Sequence, residues 1–431
     1  MDASLIICLA FTGIGLAQAS LMLVHAWEHR RFHQRRHGRP LQAHPKLRVG
    51  LIAPCKGLDP DLRANLLALF RQRHPQYELC FVVESDSDPA LPVIRDLADR
   101  NPQIHCRVVT AGITQDCGQK VHNLMCAARS VLNGQLPPDI LAFVDSDACP
   151  HPDWLGRLVD RLAGGKHAVA TGYRWYVPAS ETWANRLLSA INNTVIAVMG
   201  PHEFNLVWGG AWAIRREDFA KLGLPDAWRG TLSDDLIVSR LVHAARLRVG
   251  YEPHCLVKST ADFDGWKLCE FLRRQFVVAR VYAPLWWRFA FWTGLITNLS
   301  LWGLVGLAGW GLATHNPRTV VTALAGAALI WVLGAFRYHL AAIAVRPFVA
   351  VTNAQYDSVA RLNFWGWPVV SLANWAASVS AAWGRTIVWR GFRYRLDSPS
   401  HTTILKQQAQ QPDATRLDER DSHARTTTRA A

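Results

Sequence analysis

Two acidic pairs stand out among the residues able to do chemistry. Asp145-x-Asp147 directly follows the apolar run Ile140–Val144. Carboxylates at the end of a buried strand can hold Mg2+ or Mn2+, which bridges phosphate oxygens and neutralises the charge that builds on a diphosphate leaving group. The same pattern also suits a solvated turn. Ser233-Asp234-Asp235 follows about ninety residues on, just before a helical run at Leu236–Arg246. Its carboxylates suit a helix N-cap, or a general base that takes the proton of an attacking hydroxyl, a role worth about 10²–10⁴-fold in rate. The two uses are compatible: Ser233 or Asp234 caps while Asp235 projects into a site. Between the pairs, Val207-Trp208-Gly209-Gly210-Ala211 sets two glycines among apolar residues. Gly210 and its neighbour permit either close backbone approach to a ligand or a tight turn into a strand.

The elements that position these residues alternate in type. Leu47–Pro54 is an apolar strand leading into the turn Cys55-Lys56-Gly57, and Leu62–Arg71 has helical spacing. Glu78–Val83 is a strand ending in Glu84-Ser85-Asp86-Ser87-Asp88-Pro89, and Pro92–Asp99 is a helix with proline suitably in its first turn. Ile104–Val109, Val121–Leu132 and Ile140–Val144 continue as strand, helix and strand. Such alternation predicts an α/β domain with a mostly parallel sheet covered on both faces. Ligands of such sheets bind beyond the carboxyl ends of the strands. The clusters at Glu84–Asp88 and Asp145–Asp147 both fall there.

Around this domain the apolar residues pile up. Ala3–Trp27 carries no Asp, Glu, Lys or Arg, and about 20 apolar residues span a bilayer core. Ala17-Gln18-Ala19 looks like a signal-peptidase site, but no Lys or Arg precedes the run and the run continues past it, so an uncleaved anchor is expected. Arg30, Arg31, Arg35, Arg36 and Arg39 follow, which places the N-terminus outside and residues 30–284 in the cytoplasm by the positive-inside rule. Three more charge-free runs are Phe289–Pro317, Thr319–Phe336 and Leu362–Gly384, and a buried Arg at a span's centre costs about 2.5–3.5 kcal/mol. The last run carries Asn374, Ser378 and Ser380, and Arg385, Arg390, Arg393 and Arg395 follow it. That run is therefore expected to re-enter or lie in the interface, leaving the basic terminus near the site, where it could help hold a diphosphate. The division expected is 1–29 anchor, 30–284 catalytic domain, 285–396 membrane helices and basic terminus, and 397–431 disordered tail. A net charge of +14 is accounted for by arginines beside membrane segments, so no nucleic-acid partner is inferred. Nine cysteines without a C-x-x-C pair speak against a zinc site of paired ligands and suit a reducing compartment.

In their order, these residues resemble the membrane-bound family-2 inverting glycosyltransferases, most closely the ceramide glucosyltransferase group and its hopanoid-associated bacterial relatives. Pro54-Cys55-Lys56-Gly57-Leu58-Asp59-Pro60 is similar to the group's nucleotide loop, and Glu84–Ala90 to its uridine-side acidic segment. The family's first Asp aligns with Ser85, which leaves Glu84 or Asp86 to meet the base or ribose. Gln119-Lys120-Val121-His122-Asn123-Leu124 resembles its K-x-x-N-L segment, which implies that Lys120 faces the diphosphate. Asp145 fits the metal motif and Asp235 falls where the catalytic base is expected. The (Q/R)-x-x-R-W motif should begin at Arg274, but Val277 and Val278 stand where its Arg-Trp pair belongs. Trp389-Arg390-Gly391-Phe392-Arg393-Tyr394-Arg395-Leu396 resembles the group's terminus.

The resemblance implies a GT-A-type domain carrying transmembrane helices in a bacterial inner membrane. It further implies transfer of a hexose from a UDP-sugar to a lipid hydroxyl, with inversion, assisted by Mg2+ or Mn2+. The basic, Trp-rich segment Trp266–Arg288 suits the headgroup layer and would hold the site against the bilayer. A processive polysaccharide synthase is one alternative, although it usually needs more spans and the intact Arg-Trp pair. A catalytically dead membrane scaffold is another, against which Asp145, Asp147 and Asp235 speak.

Overall fold

The computed structural model describes residues 3–407. Helix α1 (Ala3–His37) precedes the alternating series β1 (Val49–Pro54), α2 (Leu62–Phe70), β2 (Tyr77–Val83), α3 (Ala90–Arg100), β3 (Cys106–Thr110), α4 (Gln119–Leu132), β4 (Ile140–Val144) and α5 (Trp154–Ala163). Then come β5 (Val169–Pro178), α6 (Trp183–Ile196), β6 (Ala211–Arg215), α7 (Arg216–Lys221), α8 (Leu224–Ala227), α9 (Asp234–Ala244) and β7 (Val249–Ala261). These strands form one sheet in the order β3-β2-β1-β4-β6-β5-β7. Only β6 runs against its neighbours. The mostly parallel α/β sheet expected from the sequence is therefore present.

Both faces of the sheet are covered, as the apolar strands require. In β1, Leu51 and Ala53 pack with α2, α3 and α5, while Ile52 packs on the other face with α4 and α9. The continuous apolar run is thus shared between two cores, and its carboxyl end is left to point at the chemistry.

The chain then continues through α10 (Gly265–Tyr282), α11 (Pro284–Ala313), α12 (Pro317–Val345), α13 (Asn353–Trp365) and α14 (Trp367–Ser380). Among the described residues three helices are long and apolar enough to cross a membrane: those beginning at Ala3, Pro284 and Pro317. Close approach depends on small residues, as membrane helices commonly do. A Cβ on Gly15 would strike Ile330 and Ser300, one on Gly303 would strike Phe11, and one on Gly326 would strike Thr12. Ser4 Oγ lies 2.7 Å from Thr319 Oγ1, and Gln18 Nε2 donates to the Thr293 carbonyl at 2.7 Å. Helices α1 and α12 therefore run in the same direction with α11 reversed, and the α/β domain adjoins the C-terminal end of α1. The run at Leu362–Gly384 is divided among the end of α13, the 14-residue α14 and the turn after it, with α14 about 21 Å long at the helical rise. That is too short to cross, in keeping with an interfacial or re-entrant segment.

Two boundaries differ from expectation. Helix α1 does not stop at residue 29 but runs to His37, and its last turns are buried on the α/β domain through His29, Phe32, His33 and Arg36. The expected disordered tail from residue 397 is ordered to Gln407. Strands β8 (Thr386–Trp389), β9 (Phe392–Ser398) and β10 (His401–Gln407) pair as an antiparallel meander. Tyr394, Phe392 and Leu396 are buried against Val277 and Tyr282 of α10, which offsets the polar composition. The rest of that tail, 408–431, lies outside the described residues.

A bulge joins membrane and sheet. Thr171 pairs with Tyr251 but Tyr173 with Leu256, so residues 252–255 of β7 loop out. The bulge carries Glu252, fully buried and bonded to Arg36 of α1 and, at 2.8 Å, to His254 Nδ1. Burial works against the Glu252 carboxylate, yet His254 and Arg36 hold its pKa below the ordinary value. Gly172 allows the bulge, because a Cβ there would collide with the Cys255 backbone carbonyl. Gly172→Ala should destabilise the protein by about 1–3 kcal/mol, seen as a lower melting temperature in detergent. An unchanged melting temperature would contradict this account.

Candidate active site

The carboxyl end of β4 delivers Asp145, Ser146 and Asp147 to the sheet edge, with Val144 paired to Ala211 of β6. That register brings Gly209 and Gly210 alongside. Asp145 N–H donates to the Gly210 carbonyl at 3.3 Å. A Cβ on Gly210 would meet Asp145 Oδ2 at 2.9 Å, and one on Gly209 would meet Lys120 Nζ and Asp234 Oδ2 at 2.9 Å. The glycines form the turn into a strand, and they leave the space into which charged side chains crowd.

Lys120 sits in the first turn of α4, aimed at that space. Its Nζ is 2.7 Å from Asp145 Oδ1 and 3.2 Å from Asp234 Oδ1, and donates to the Gly209 carbonyl at 3.2 Å. Burial works to lower the Lys120 pKa, but Asp145, Asp234 and Asp235 together raise it above the ordinary lysine value. Arg174, on β5, spans the acidic pair, reaching Asp147 Oδ2 at 3.0 Å and Asp145 Oδ2 at 3.3 Å. Its guanidinium lies 4.6 Å from the Trp208 ring centre and donates to the Tyr176 hydroxyl at 2.8 Å. Burial opposes the charge on Asp147, but Arg174 and Arg390 hold its pKa below the usual carboxylate value. Asp145 is shifted upward, by burial against the pull of Lys120 and with a push from Asp147.

The second acidic pair divides its labour. Ser233 Oγ accepts from Leu236 N–H and caps α9. Asp234 is 3 % exposed and faces Lys120. Asp235 is half-buried: Oδ1 accepts from Ser233 Oγ at 2.6 Å and Leu236 N–H at 2.7 Å, and Oδ2 from Gly209 N–H at 2.8 Å. These bonds fix its orientation, and a carboxylate oxygen can accept more than one donor.

The two loops expected to meet the nucleotide are also joined. Lys56 Nζ pairs with the buried Glu84 at 2.8 Å. Asp88 Oδ1 accepts from Gly57 N–H at 3.0 Å and Ala90 N–H at 2.9 Å, tying the lysine loop to the start of α3. Asp86 lies on the rim, accepting from Thr110 Oγ1 at 2.6 Å. Arg274 is the exception. Instead of reaching the carboxylates it donates to the Val388 carbonyl at 3.2 Å and lies over Phe271 and Trp389, with burial bringing its pKa down to about 10. Val277, where the Arg-Trp pair would begin, is buried beneath the C-terminal meander.

Lys56, Glu84, Lys120, Asp145, Asp147, Gly210 and Asp235 thus gather at the ends of neighbouring strands. Sequence reasoning misses Arg174 and the burial of Asp234, names Asp59 only within the nucleotide-loop motif, and names Arg390 only within the basic terminus expected near the site. The alternation of Tyr173, Trp175 and Val177 with Arg174 and Tyr176 is the signal that could have revealed β5 and its inward arginine. A divalent metal fits the acidic pair: Asp147 Oδ1 is buried without a partner beside Asp145. No cluster of three or more metal-binding side chains occurs among the described residues, so such an ion would complete its shell with phosphate and water oxygens, as Mg2+ commonly does.

The sequence profile of glycosyl transferase family 21 matches residues 7–401. The chain belongs to glycosyl transferase family 21. The ceramide glucosyltransferase of Gibberella zeae is 33% identical over 128 residues, 27% of this chain and 23% of that protein. Ceramide glucosyltransferase 1 of Caenorhabditis elegans is 33% identical over 82 residues, 19% of this chain and 18% of that protein. The Komagataella phaffii ceramide glucosyltransferase is 30% identical over 118 residues, covering 26% and 22%. The aligned stretches thus span less than a quarter of these relatives' own lengths. A mannosyltransferase from Pyrobaculum calidifontis, solved with GDP-Man and Mn2+, aligns over 86% of this chain and 99% of its own, at 16% identity and a TM-score of 0.45. The resemblance to the ceramide glucosyltransferase group holds, and the family member has the GT-A-type α/β domain with membrane helices expected of it.

The burial of Asp234 predicts a pH effect. Its pKa is pushed up to about 7 by burial, against the pull of Lys120. A carboxyl raised in the folded state stabilises below its unfolded pKa and loses that advantage as pH rises through the folded one. Relative to Asp234→Asn, the wild type should therefore lose stability between about pH 4 and pH 7 and run parallel above. Melting curves of both proteins across that range check this; parallel profiles throughout would contradict it.

Proposed function

We propose that the chain is an inverting glycosyltransferase that moves a hexose from a UDP-sugar to a hydroxyl of a membrane lipid, ceramide- or hopanoid-like. The observation that carries this reading is the division between the acidic pairs: Asp235 is oriented by neutral donors alone, while Asp145 and Asp147 are ion-paired with Lys120 and Arg174. In a single displacement the acceptor oxygen attacks the anomeric carbon and its proton passes to Asp235. The bond to the diphosphate breaks on the opposite face, and its electron pair leaves with the diphosphate. Lys120 and Arg174 are placed to receive that charge, with Asp234 holding Lys120 in position. A divalent metal on Asp145 and Asp147 would add further neutralisation of the phosphate oxygens.

The surroundings support a lipid acceptor. Trp183, Trp266, Trp365 and Trp383 are all more than 60% exposed. They belong to α6, α10, α13 and the turn after α14, helices that pack on one another beneath β5. Large exposed aromatic rings at the base of a membrane bundle suit the headgroup layer. Tyr176, which holds Arg174, packs on Phe271 of α10, so that layer leads to the site. The helix directions put the N-terminus and the α/β domain at opposite ends of the bundle, as a cytoplasmic domain with an outer N-terminus would require.

Asp235→Asn should lower turnover by at least about a hundredfold with UDP binding nearly intact, and the glycolipid formed by the wild type should carry inverted anomeric configuration by NMR. Normal turnover of the variant, or retained configuration, would overturn the assignment. Exhaustive chelation should abolish transfer, and Mn2+ or Mg2+ should restore it; full activity after chelation would remove the metal from the scheme.

A further inference from the structure

The C-terminal meander was expected to be partly disordered, yet it reaches further into the site than its composition suggests. Trp389 of β8 pairs with Phe392 of β9, so the hairpin turns on Arg390 and Gly391 alone. Both have positive φ, 45° and 84°, the geometry of a type I′ turn, whose first position ordinarily goes to Asn, Asp or Gly. An arginine held there points to a use for its side chain.

That side chain lies between the two halves of the site. One Nη donates to the Lys56 carbonyl at 2.8 Å, and the other meets Asp59 at 2.8 and 3.1 Å. Asp59 also accepts from Ser146 Oγ at 2.6 Å, between Asp145 and Asp147. The guanidinium therefore stands over the line from the Lys56–Glu84 pair to the acidic pair on β4. Its neighbours on the hairpin fix it there. Phe392 lies under Lys56 Nζ at 4.5 Å, and the Tyr394 hydroxyl accepts from Gln119 N–H at 3.2 Å, one residue before Lys120. Helix α10 holds the other side. Arg273 donates to the Ser380 and Trp383 carbonyls, Arg280 to those of Ala382 and Gly384, and Arg274 to that of Val388.

We propose that Arg390 is a donor-binding residue whose free N–H groups grip the diphosphate of the nucleotide sugar, and that Arg274 is a positioning residue for the hairpin that presents it. This rests on the nucleotide-sugar reading above. The diphosphate must run from the base, on the Lys56–Glu84 side, to the sugar beside Asp145, and Arg390 lies on that path. Its planar fork matches phosphate oxygens, and Asp59 with the Lys56 carbonyl keeps the fork oriented while donors remain available. The meander thereby closes the donor site, and a membrane-side helix sets its position.

The test is binding of UDP, GDP and UMP to the purified full chain in nanodiscs. Arg390→Ala should weaken UDP and GDP by about ten- to a hundredfold and UMP less, with the melting temperature unchanged. Arg390→Lys should recover part of the loss. Arg274→Ala should weaken UDP to a smaller degree and raise the donor KM more than it lowers kcat. Wild-type UDP affinity in Arg390→Ala, or an equal loss for UMP, would overturn the role of Arg390 while leaving the nucleotide-sugar reading intact. Failure of the wild type to bind either nucleoside diphosphate would instead overturn that reading, and this inference with it.

Discussion

Four carboxylates converge at the carboxyl end of β4 and the start of α9, and the site depends on keeping them together. Buried charges are tolerated only when paired, and here Lys120 and Arg174 do the pairing. Lys120 bridges Asp145 and Asp234, and Arg174 bridges Asp145 and Asp147. Much of the local sequence follows from this. Gly209 and Gly210 are required because any side chain would occupy the space these charges share. Trp208 and Tyr176 provide a flat cradle for the guanidinium, and Ser233 starts α9 so that Asp234 meets Lys120 while Asp235 is held by Gly209 N–H and Leu236 N–H. Two cations set against four carboxylates leave the cluster net acidic, and with one buried oxygen of Asp147 unpartnered it suits a divalent cation, which would offset the acidic excess before a phosphate group approached Lys120 and Arg174.

The same strand that carries Arg174 also ties the site to the membrane. Two residues before it, Gly172 permits the bulge that lifts Glu252 toward Arg36 of α1. A helix of 35 residues, about 52 Å long at the helical rise, is longer than a bilayer core needs. Its surplus is spent as a rigid strut into the domain. The distance from bilayer to β5 is therefore set by helix and ion pair rather than by a flexible tether, as the proposed membrane-lipid acceptor would require.

How far the sequence revealed this can be judged residue by residue. Strands β1, β2 and β4 are legible because they are buried on both faces and read as short apolar runs, β1 ending in the Cys55-Lys56-Gly57 turn and β2 and β4 in acidic clusters. Asp145, Asp147, Lys120 and Asp235 were legible because spacing and order were distinctive. Strand β5 is legible only through the alternation of Arg174 and Tyr176 with Tyr173, Trp175 and Val177, since no continuous apolar run marks it. The fate of Arg274 was not legible, because a helical arginine near a site looks the same whether it faces a ligand or a neighbouring backbone. The ordered meander at residues 397–407 was hidden by polar strands that gain their stability from Phe392, Tyr394 and Leu396 packing on α10, a long-range contact that local composition does not show.

The basic excess has a structural use as well. Arginines beside membrane segments are readily assigned to topology and anionic lipid, and Arg385, with its neighbours, was so assigned. In the structure Arg273, Arg274 and Arg280 instead donate to backbone carbonyls between Ser380 and Val388, and Arg36 is consumed by Glu252. The segment after α14 has backbone acceptors left over at a helix end, and the guanidinium groups of α10 satisfy them. Cationic side chains thus replace a regular hydrogen-bonded ladder across this join. The join can then turn sharply from a membrane-level helix into a short sheet and still hold its hairpin firmly against the site.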